Sequence, residues 1–171
     1  MSNTIIALTA SCLGAYVVSI WQREKFSMED ILNATLAGGV IIGAGSGIIT
    51  MPAAAFAIGL IGGIVSTYCF VNLTPKFEKF FHIHDTCGVQ NLHGIPGFLG
   101  GILSAVVIAS YNTQPVGTEY LNSLPFKPGA SFTRTFTQQA AVQVGGTFIS
   151  LGIAIITAII TGIILACTYS S

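Results

Sequence analysis

Long apolar stretches alternate with short polar ones along the whole chain. A transmembrane helix needs about 20 mostly apolar residues to cross a hydrocarbon core of about 30 Å. Five stretches meet or nearly meet that length, and we predict a transmembrane helix for each. They cover residues 4–21, 31–49, 53–73, 89–111 and 138–169, to within a few residues.

The first and fifth stretches, and the loop before the fifth, each add a detail to the predicted topology. The first stretch has no basic residue before its apolar run, unlike a secretory signal peptide, so we expect it to be retained as a span. The fifth is longer than one crossing requires, so its helix should tilt or project from the membrane. Between the fourth and fifth, residues 112–137 are polar and contain Pro115, Pro125 and Pro128, a composition typical of a surface loop.

Composition supports the same class of protein. Of the 171 residues, 52% are hydrophobic and only 7% are charged, whereas an ordinary soluble domain carries roughly a quarter charged residues. So few charges cannot cover a water-facing surface. Six acidic residues balance six Lys and Arg residues, which leaves no broad basic face for nucleic acid. We therefore predict an all-α, polytopic membrane helix bundle that forms a single domain, with the lipid bilayer as its surroundings.

The basic residues predict an orientation. Arg23 and Lys25 follow the first span, and Lys76 and Lys79 follow the third; the two other cations lie in the long loop. Because basic residues are enriched in short cytoplasmic loops, we expect the first and third loops to be cytoplasmic. The C-terminus is then cytoplasmic, and the N-terminus and the loop at 112–137 are extracellular.

Glycines recur at four-residue spacing within the apolar stretches. In lipid, small residues at this spacing let helix backbones approach closely and gain van der Waals contact. We therefore predict a tightly packed bundle, in which most of these glycines serve packing alone. The pairs are Gly39 with Gly43, Gly43 with Gly47, Gly59 with Gly63, and Gly97 with Gly101.

Familiar catalytic and metal-binding patterns do not occur in the sequence. The four cysteines have no CxxC spacing, which predicts neither a disulfide framework nor a zinc site. There is also no phosphate-binding glycine-rich loop followed by lysine, and no pair of carboxylates within a span. We therefore expect no cofactor, no metal and no enzymatic activity.

The stretch from His82 to Gly97 carries the candidate chemistry, because it leads ionisable groups into the fourth span. Ionisable residues inside spans are costly and usually mark a pathway or a buried pair. His93 either lines a narrow polar route or forms a structural hydrogen bond to a neighbouring backbone, and position alone does not separate these. Asp85 is expected to be structural, since a carboxylate at a helix N-terminus accepts backbone N–H bonds.

The sequence HDTCGVQNLHGIPG, residues 84–97, closely resembles a signature of the Rh (Rhesus) glycoprotein branch of the ammonium transporter superfamily. NATLAGG at 33–39 and LTP at 73–75 extend the match upstream, and Gln139, Gln143 and the following Gly/Thr-rich run extend it downstream. The resemblance implies the second half of a fold built from eleven or twelve spans in two inverted halves. The first pore histidine, the aromatic gate and the external recruiting site belong to the part that this chain does not resemble.

By that resemblance, His93 falls on the second of the family's two pore-lining histidines. Asp85 falls on its buried acidic residue, and we assign Asp85 and Asn91 a pore-supporting or structural role. Gln90 departs from the pattern, because histidine is common there; that position is not one of the pore pair.

The resemblance implies ammonium or ammonia transport by an Rh-type channel subunit, with carbon dioxide as a further candidate solute. It also implies a homotrimer, or assembly with related chains, in the plasma membrane. The alternative is a truncated, non-conducting paralogue or fragment that acts as an assembly partner. Hydropathy alone would also allow a membrane scaffold or an unrelated carrier.

Overall fold

The structure, a computed structural model, describes residues 1–82, 84–110 and 135–169. No strand occurs in this part of the chain, and the all-α prediction is confirmed. Most of the predicted loop at 112–137 lies outside the described residues. The helices are α1 (Ser2–Arg23), α2 (Met28–Gly43), α3 (Pro52–Asn72), α4 (Thr74–Phe81), α5 (Ile95–Ser110) and α6 (Phe136–Tyr169), with a π-helical turn at Gln90–Gly94 directly before α5.

Four helical segments in the described part are long and apolar enough to cross a membrane. They are α1, α3, the π-helical turn together with α5, and α6. The remaining predicted segment, the second along the chain, is occupied by α2, which has 16 residues and is therefore slightly shorter than a usual span. These helices confirm the prediction of a polytopic membrane bundle.

The end of α2 differs from the hydrophobic pattern. The apolar stretch runs on to Ile49, but α2 ends at Gly43, and a series of turns follows. Glycine is a poor helix former, and glycine is frequent in this segment. Asn3 stabilises the turns from α1, because its side-chain amide donates to the carbonyl oxygens of Ser46 (3.0 Å) and Ile49 (2.6 Å).

Glycines bring α1 and α3 into backbone contact. A Cβ atom on Gly59 would overlap the backbone of Ala7, and one on Gly63 would overlap the backbone of Ser11. The contact positions increase together along both helices, so α1 and α3 run in the same direction. This pair follows the predicted small-residue packing, whereas Gly43 has no atom within 4 Å of its Cβ position.

The second helix packs antiparallel to the first. The Ser11 hydroxyl donates to the carbonyl oxygen of Ala34, and Gly38 lies directly against Ser11. On its other side α2 contacts α5, where Gly100 lies against the backbone of Ile41. The helices α1, α2 and α3 therefore form a close trio, and α5 joins them through α2.

Polar side chains join α1 and α2 where the two helices meet. The Asp30 carboxylate is 2% exposed. It accepts hydrogen bonds from the Ser19 hydroxyl at 2.8 Å and from Arg23 Nε at 2.9 Å and Nη2 at 3.1 Å. Ser27 caps α2 by accepting from the Asp30 backbone N–H, so the buried carboxylate and the start of α2 are both stabilised at this connection.

The helix α4 was not predicted from the hydrophobic pattern. It follows α3 after a single residue, Leu73. Pro75 lies in its first turn and has no backbone N–H to continue the hydrogen bonds of α3, so the first helix ends and a second begins. The Asn72 side chain lies 3.4 Å from that of Gln22, which places α4 at the same end of the bundle as the α1–α2 connection.

The last helix leaves the rest of the bundle. Its first turns pack on α5 through Ala140 against Ala105 and Ile108, and Phe148 forms an edge-to-face pair with Phe98. Its 34 residues correspond to about 51 Å at 1.5 Å per residue. Nearly all of its side chains are exposed in the described part, including a long series of isoleucines.

Candidate functional site

Asp85 begins the segment that carries His93. Its carboxylate accepts hydrogen bonds from the backbone N–H groups of Val89 (2.9 Å) and Gln90 (2.8 Å). The first N–H groups of a helix have no partner within the helix, so two of them are satisfied here by one side chain. Gly88 has a φ of +65° and lies against the ring of Phe70. A side chain at Gly88 would meet both a strained backbone and that ring.

The turn that contains His93 is wider than an α-helix. The Ile95 N–H donates to the carbonyl oxygen of Gln90, a bond that spans five residues. Pro96 follows immediately, and it has no N–H for the carbonyl of Leu92 one turn earlier. Single π-helical turns inside α-helices occur frequently at functional sites. This local geometry places His93 in an irregular part of an otherwise regular membrane helix.

Asn91 attaches the same turn to the rest of the bundle. Its side chain is 2% exposed, and its amide donates to the Thr74 hydroxyl at 2.7 Å. Asp85, Asn91, Thr74 and Phe77 surround a cavity of about 10 Å³ together with Gln90. Asp85 and Asn91 are therefore brought together on the side of the turn that faces α4.

His93 lies on another part of the turn and faces a groove between α5 and α6. His93 is exposed, and the groove that it faces has a volume of about 570 Å³ and is open along one side. At four positions the groove is lined by backbone, because the residue is glycine: Gly94, Gly97, Gly101 and Gly146. The structure does not bring Asp85 or Asn91 into the wall of this groove.

Polar side chains of α6 form the opposite wall. Gln143, Thr147 and Ser150 line the groove, and their spacing of four and three residues puts them on one face of the helix. Gln143 and the run that contains Thr147 and Ser150 belonged to the sequence resemblance, but none of the three was predicted as a site residue. The available signal was a polar stripe at helical spacing within a stretch otherwise rich in isoleucine.

The other histidines lie outside the groove. His84 Nδ1 is 3.9 Å from Glu78 Oε1, an exposed pair at the surface, and His82 is an exposed residue with a positive φ at the end of α4. Among the described residues, no group of three His, Cys, Asp or Glu side chains is placed to hold a metal ion. The four cysteines are free thiols.

The chemistry available in the groove is hydrogen bonding without a fixed charge. A neutral imidazole donates at one nitrogen and accepts at the other, and hydroxyl and amide groups do both. Among the residues that the structure describes, no acidic, Lys or Arg side chain lines the groove. The groove can therefore hold a small polar solute by hydrogen bonds without a charged partner.

A sequence model described as Ammonium Transporter Family matches residues 1–170. Ammonium transporter Rh type C of Macaca mulatta is 44% identical over 168 residues, which covers 95% of this chain and 34% of that protein. The protein of the same name from Homo sapiens is 42% identical over 166 residues, with the same two shares.

A solved structure is similar as well. It is that of Nitrosomonas europaea Rh50, described with the mechanism of conduction by the Rhesus protein family of channels. The TM-score is 0.57 at 34% sequence identity, and the match covers 91% of this chain and 37% of that one. The chain thus spans about a third of the length of the relatives that it matches.

Proposed function

We propose that this chain, which belongs to the Rh branch of the ammonium transporter family, forms part of a channel for ammonia and ammonium, with His93 on the solute route. The resemblance predicted from residues 84–97 is confirmed by the family match over residues 1–170 and by the Rh type C relatives. The chain is therefore a multi-pass membrane protein of a transporter family and not an enzyme.

The observation that carries the proposal is the position of His93 on the groove. It is an ionisable side chain in a membrane helix, on a π-helical turn, and it faces an open space instead of a packed neighbour. Ionisable groups inside spans usually mark a solute path or a buried pair. No ion pair of His93 occurs in the described part of the chain, which favours the path.

The lining of the groove favours a neutral solute over an ion. Moving an ammonium-sized ion from water into a medium of low dielectric constant costs on the order of 20 kcal/mol in the idealised Born estimate. The described residues of the groove offer hydrogen-bond partners but no carboxylate to offset that cost. We infer that ammonia crosses this segment, either alone or separately from its proton. Carbon dioxide, which is small and neutral, is a second candidate.

We place the groove at the interface with further helices that close its open side. Transporters built from inverted repeats have their solute sites between the repeats. Here the exposed side of the π-helical turn at His93 and the exposed length of α6 are the surfaces available for such contact. A homotrimer in the plasma membrane, with the N-terminus outside and the C-terminus cytoplasmic, completes the proposal.

The test is solute flux in proteoliposomes that contain the protein as purified from its native membrane. We expect His93→Ala to change the ammonia-driven pH transient or the uptake of methylammonium. His84→Ala, which removes an exposed loop imidazole, is the matched control and should leave flux unchanged. Equal flux in the His93 variant and the unmodified, conducting protein would contradict the role given to His93.

A second candidate function is a non-conducting assembly partner. The observation in its favour is the open side of the groove, since the walls formed by α5 and α6 do not enclose a route by themselves. If the 171-residue chain acts in this way, it should give no flux alone and should co-purify with a complementary helical chain. Conduction by the purified 171-residue chain would exclude this alternative.

A further inference from the structure

The short helix α4 has an apolar edge that the described part of the protein leaves open. Phe80 and Phe81 are 75% and 63% exposed. Phe77, one turn before Phe81, is half-buried and borders the small cavity beside Thr74 and Asn91. Phe77 therefore borders the protein, and Phe81 packs on its ring at a centroid distance of 5.3 Å. Phe80 faces outwards, and both Phe80 and Phe81 keep exposed ring surface that needs another apolar environment.

Two exposed lysines lie on one side of the aromatic edge. On a helical projection Lys76 is next to Phe80, and Lys79 is further round, on the face away from Thr74. A lysine stem can lie along an apolar surface while its ammonium group stays in water. Aromatic side chains beside lysines on a short amphipathic helix are typical of a helix that lies in a membrane interface.

The place of α4 in the bundle puts this helix at the depth of the membrane interface. It begins one residue after α3, a segment of 21 residues that is long enough to reach across the bilayer. Trp21 and Phe26, at the same end of the bundle, are 73% and 49% exposed. Tryptophan and other aromatic side chains are enriched at the depth of the lipid headgroups. The α1–α2 connection and α4 therefore both expose aromatic side chains at the same end of the bundle.

We propose that α4 is an interfacial anchor whose partner is the lipid bilayer surface. Phe80 and Phe81 enter the region between headgroups and acyl chains, and the ammonium groups of Lys76 and Lys79 meet lipid phosphates. The consequence reaches the groove, because Thr74 at the start of α4 accepts the hydrogen bond of Asn91. An anchored α4 therefore determines the depth at which the turn carrying His93 lies.

The experiment measures the depth of α4 by tryptophan fluorescence. Trp21 is the one tryptophan in the sequence, so a Trp21→Phe background leaves a clean reporter when Phe80→Trp or Phe81→Trp is added. The protein is reconstituted in vesicles of phosphatidylcholine and phosphatidylglycerol. We expect lipids brominated near the headgroup to remove most of the emission, and aqueous acrylamide to remove little.

A matched control comes from the other side of the same helix. In the described part of the chain the Glu78 carboxylate lies beside the exposed His84, so Glu78→Trp should be quenched by acrylamide and little affected by brominated lipid. Quenching of Phe80→Trp by acrylamide alone would overturn the proposal in favour of a water-exposed helix. Quenching by neither agent would overturn it in favour of a protein cover. If Phe80→Trp does not fold, the same quenching measurement is made on Phe81→Trp. Because fluorescence needs no transport, this result is independent of the function proposed for His93.

Discussion

Asn91 donates a hydrogen bond of 2.7 Å to the hydroxyl of Thr74, and this contact joins the turn that carries His93 to the start of α4. The two residues are 17 positions apart in the chain, and the rest of α4 and the loop that contains Asp85 lie between them. Because Asn91 is buried, its amide depends on a hydrogen-bond partner within the protein.

We expect Asn91 and Thr74 to be energetically coupled. Thr74→Val removes the acceptor and leaves a buried amide with an unmet donor, which costs on the order of 1–3 kcal/mol. Asn91→Leu in the same protein removes that donor, so the double variant should lose less than the two single losses combined. Thermal unfolding midpoints in detergent would measure the cycle. Strictly additive losses would show that the contact contributes nothing.

The cap formed by Asp85 gives a second prediction. Asp85→Ala should expose the N–H groups of Val89 and Gln90, because each loses its acceptor, with a cost of about 1 kcal/mol. Hydrogen exchange at these amides should become faster, while exchange in the middle of α3 stays unchanged. Glu78→Ala is the control, since this acid makes no bond to the turn. Unchanged exchange in Asp85→Ala would mean that other groups hold the turn.

The contact between α1 and α3 predicts a difference between two glycines. Gly63→Ala inserts a methyl group where the backbone of Ser11 lies, which should force the helices apart and cost roughly 1–3 kcal/mol. Gly43→Ala makes the same chemical change at a position with open space. We expect a lower unfolding midpoint for the first variant only. Equal midpoints would show that α1 and α3 can separate freely.

Asp30 and Arg23 supply the fourth prediction. Arg23→Met leaves the Asp30 carboxylate, which is 2% exposed, with the Ser19 hydroxyl as its remaining side-chain donor. Breaking a fully buried ion pair costs about 3–5 kcal/mol. Here we expect on the order of 1–2 kcal/mol, because the Arg23 side chain is 43% exposed and solvent screens it.

Two further variants test the Arg23 prediction. Lys25→Met removes a neighbouring exposed cation that makes no such pair, and its unfolding midpoint should match that of the parent protein. Combining Arg23→Met with Asp30→Asn should recover part of the lost stability, since the uncompensated charge is then removed as well. No recovery would mean that Arg23 stabilises α1 by packing alone.

The bundle could be predicted because bilayer thickness imposes a length on any helix that crosses it. The signal is a count of apolar residues, and it needs no knowledge of neighbours. The same signal could not find α4, which has eight residues and is amphipathic instead of uniformly apolar. It also could not set the end of α2, where the glycines and the bonds from Asn3 decide the conformation.

The candidate site was predictable only in part. His93 and Asp85 stand out in the sequence as ionisable groups at the start of a span, and this is a local property. The π-helical turn depends on one hydrogen bond that spans five residues, and hydropathy does not report it. Thr147 and Ser150 reach the groove only because α6 packs on α5, a relationship between segments that are far apart in the chain.

The exposed length of α6 has a consequence for how the protein is assembled. Its backbone hydrogen bonds are made within the helix, and lipid can solvate its isoleucine side chains, so the segment needs no neighbour in order to enter the bilayer. Helices of this kind insert first and associate with partners afterwards. We therefore expect α6 to be integrated during synthesis as an independent unit, and its docking along the bundle to be a later and separable step of biogenesis.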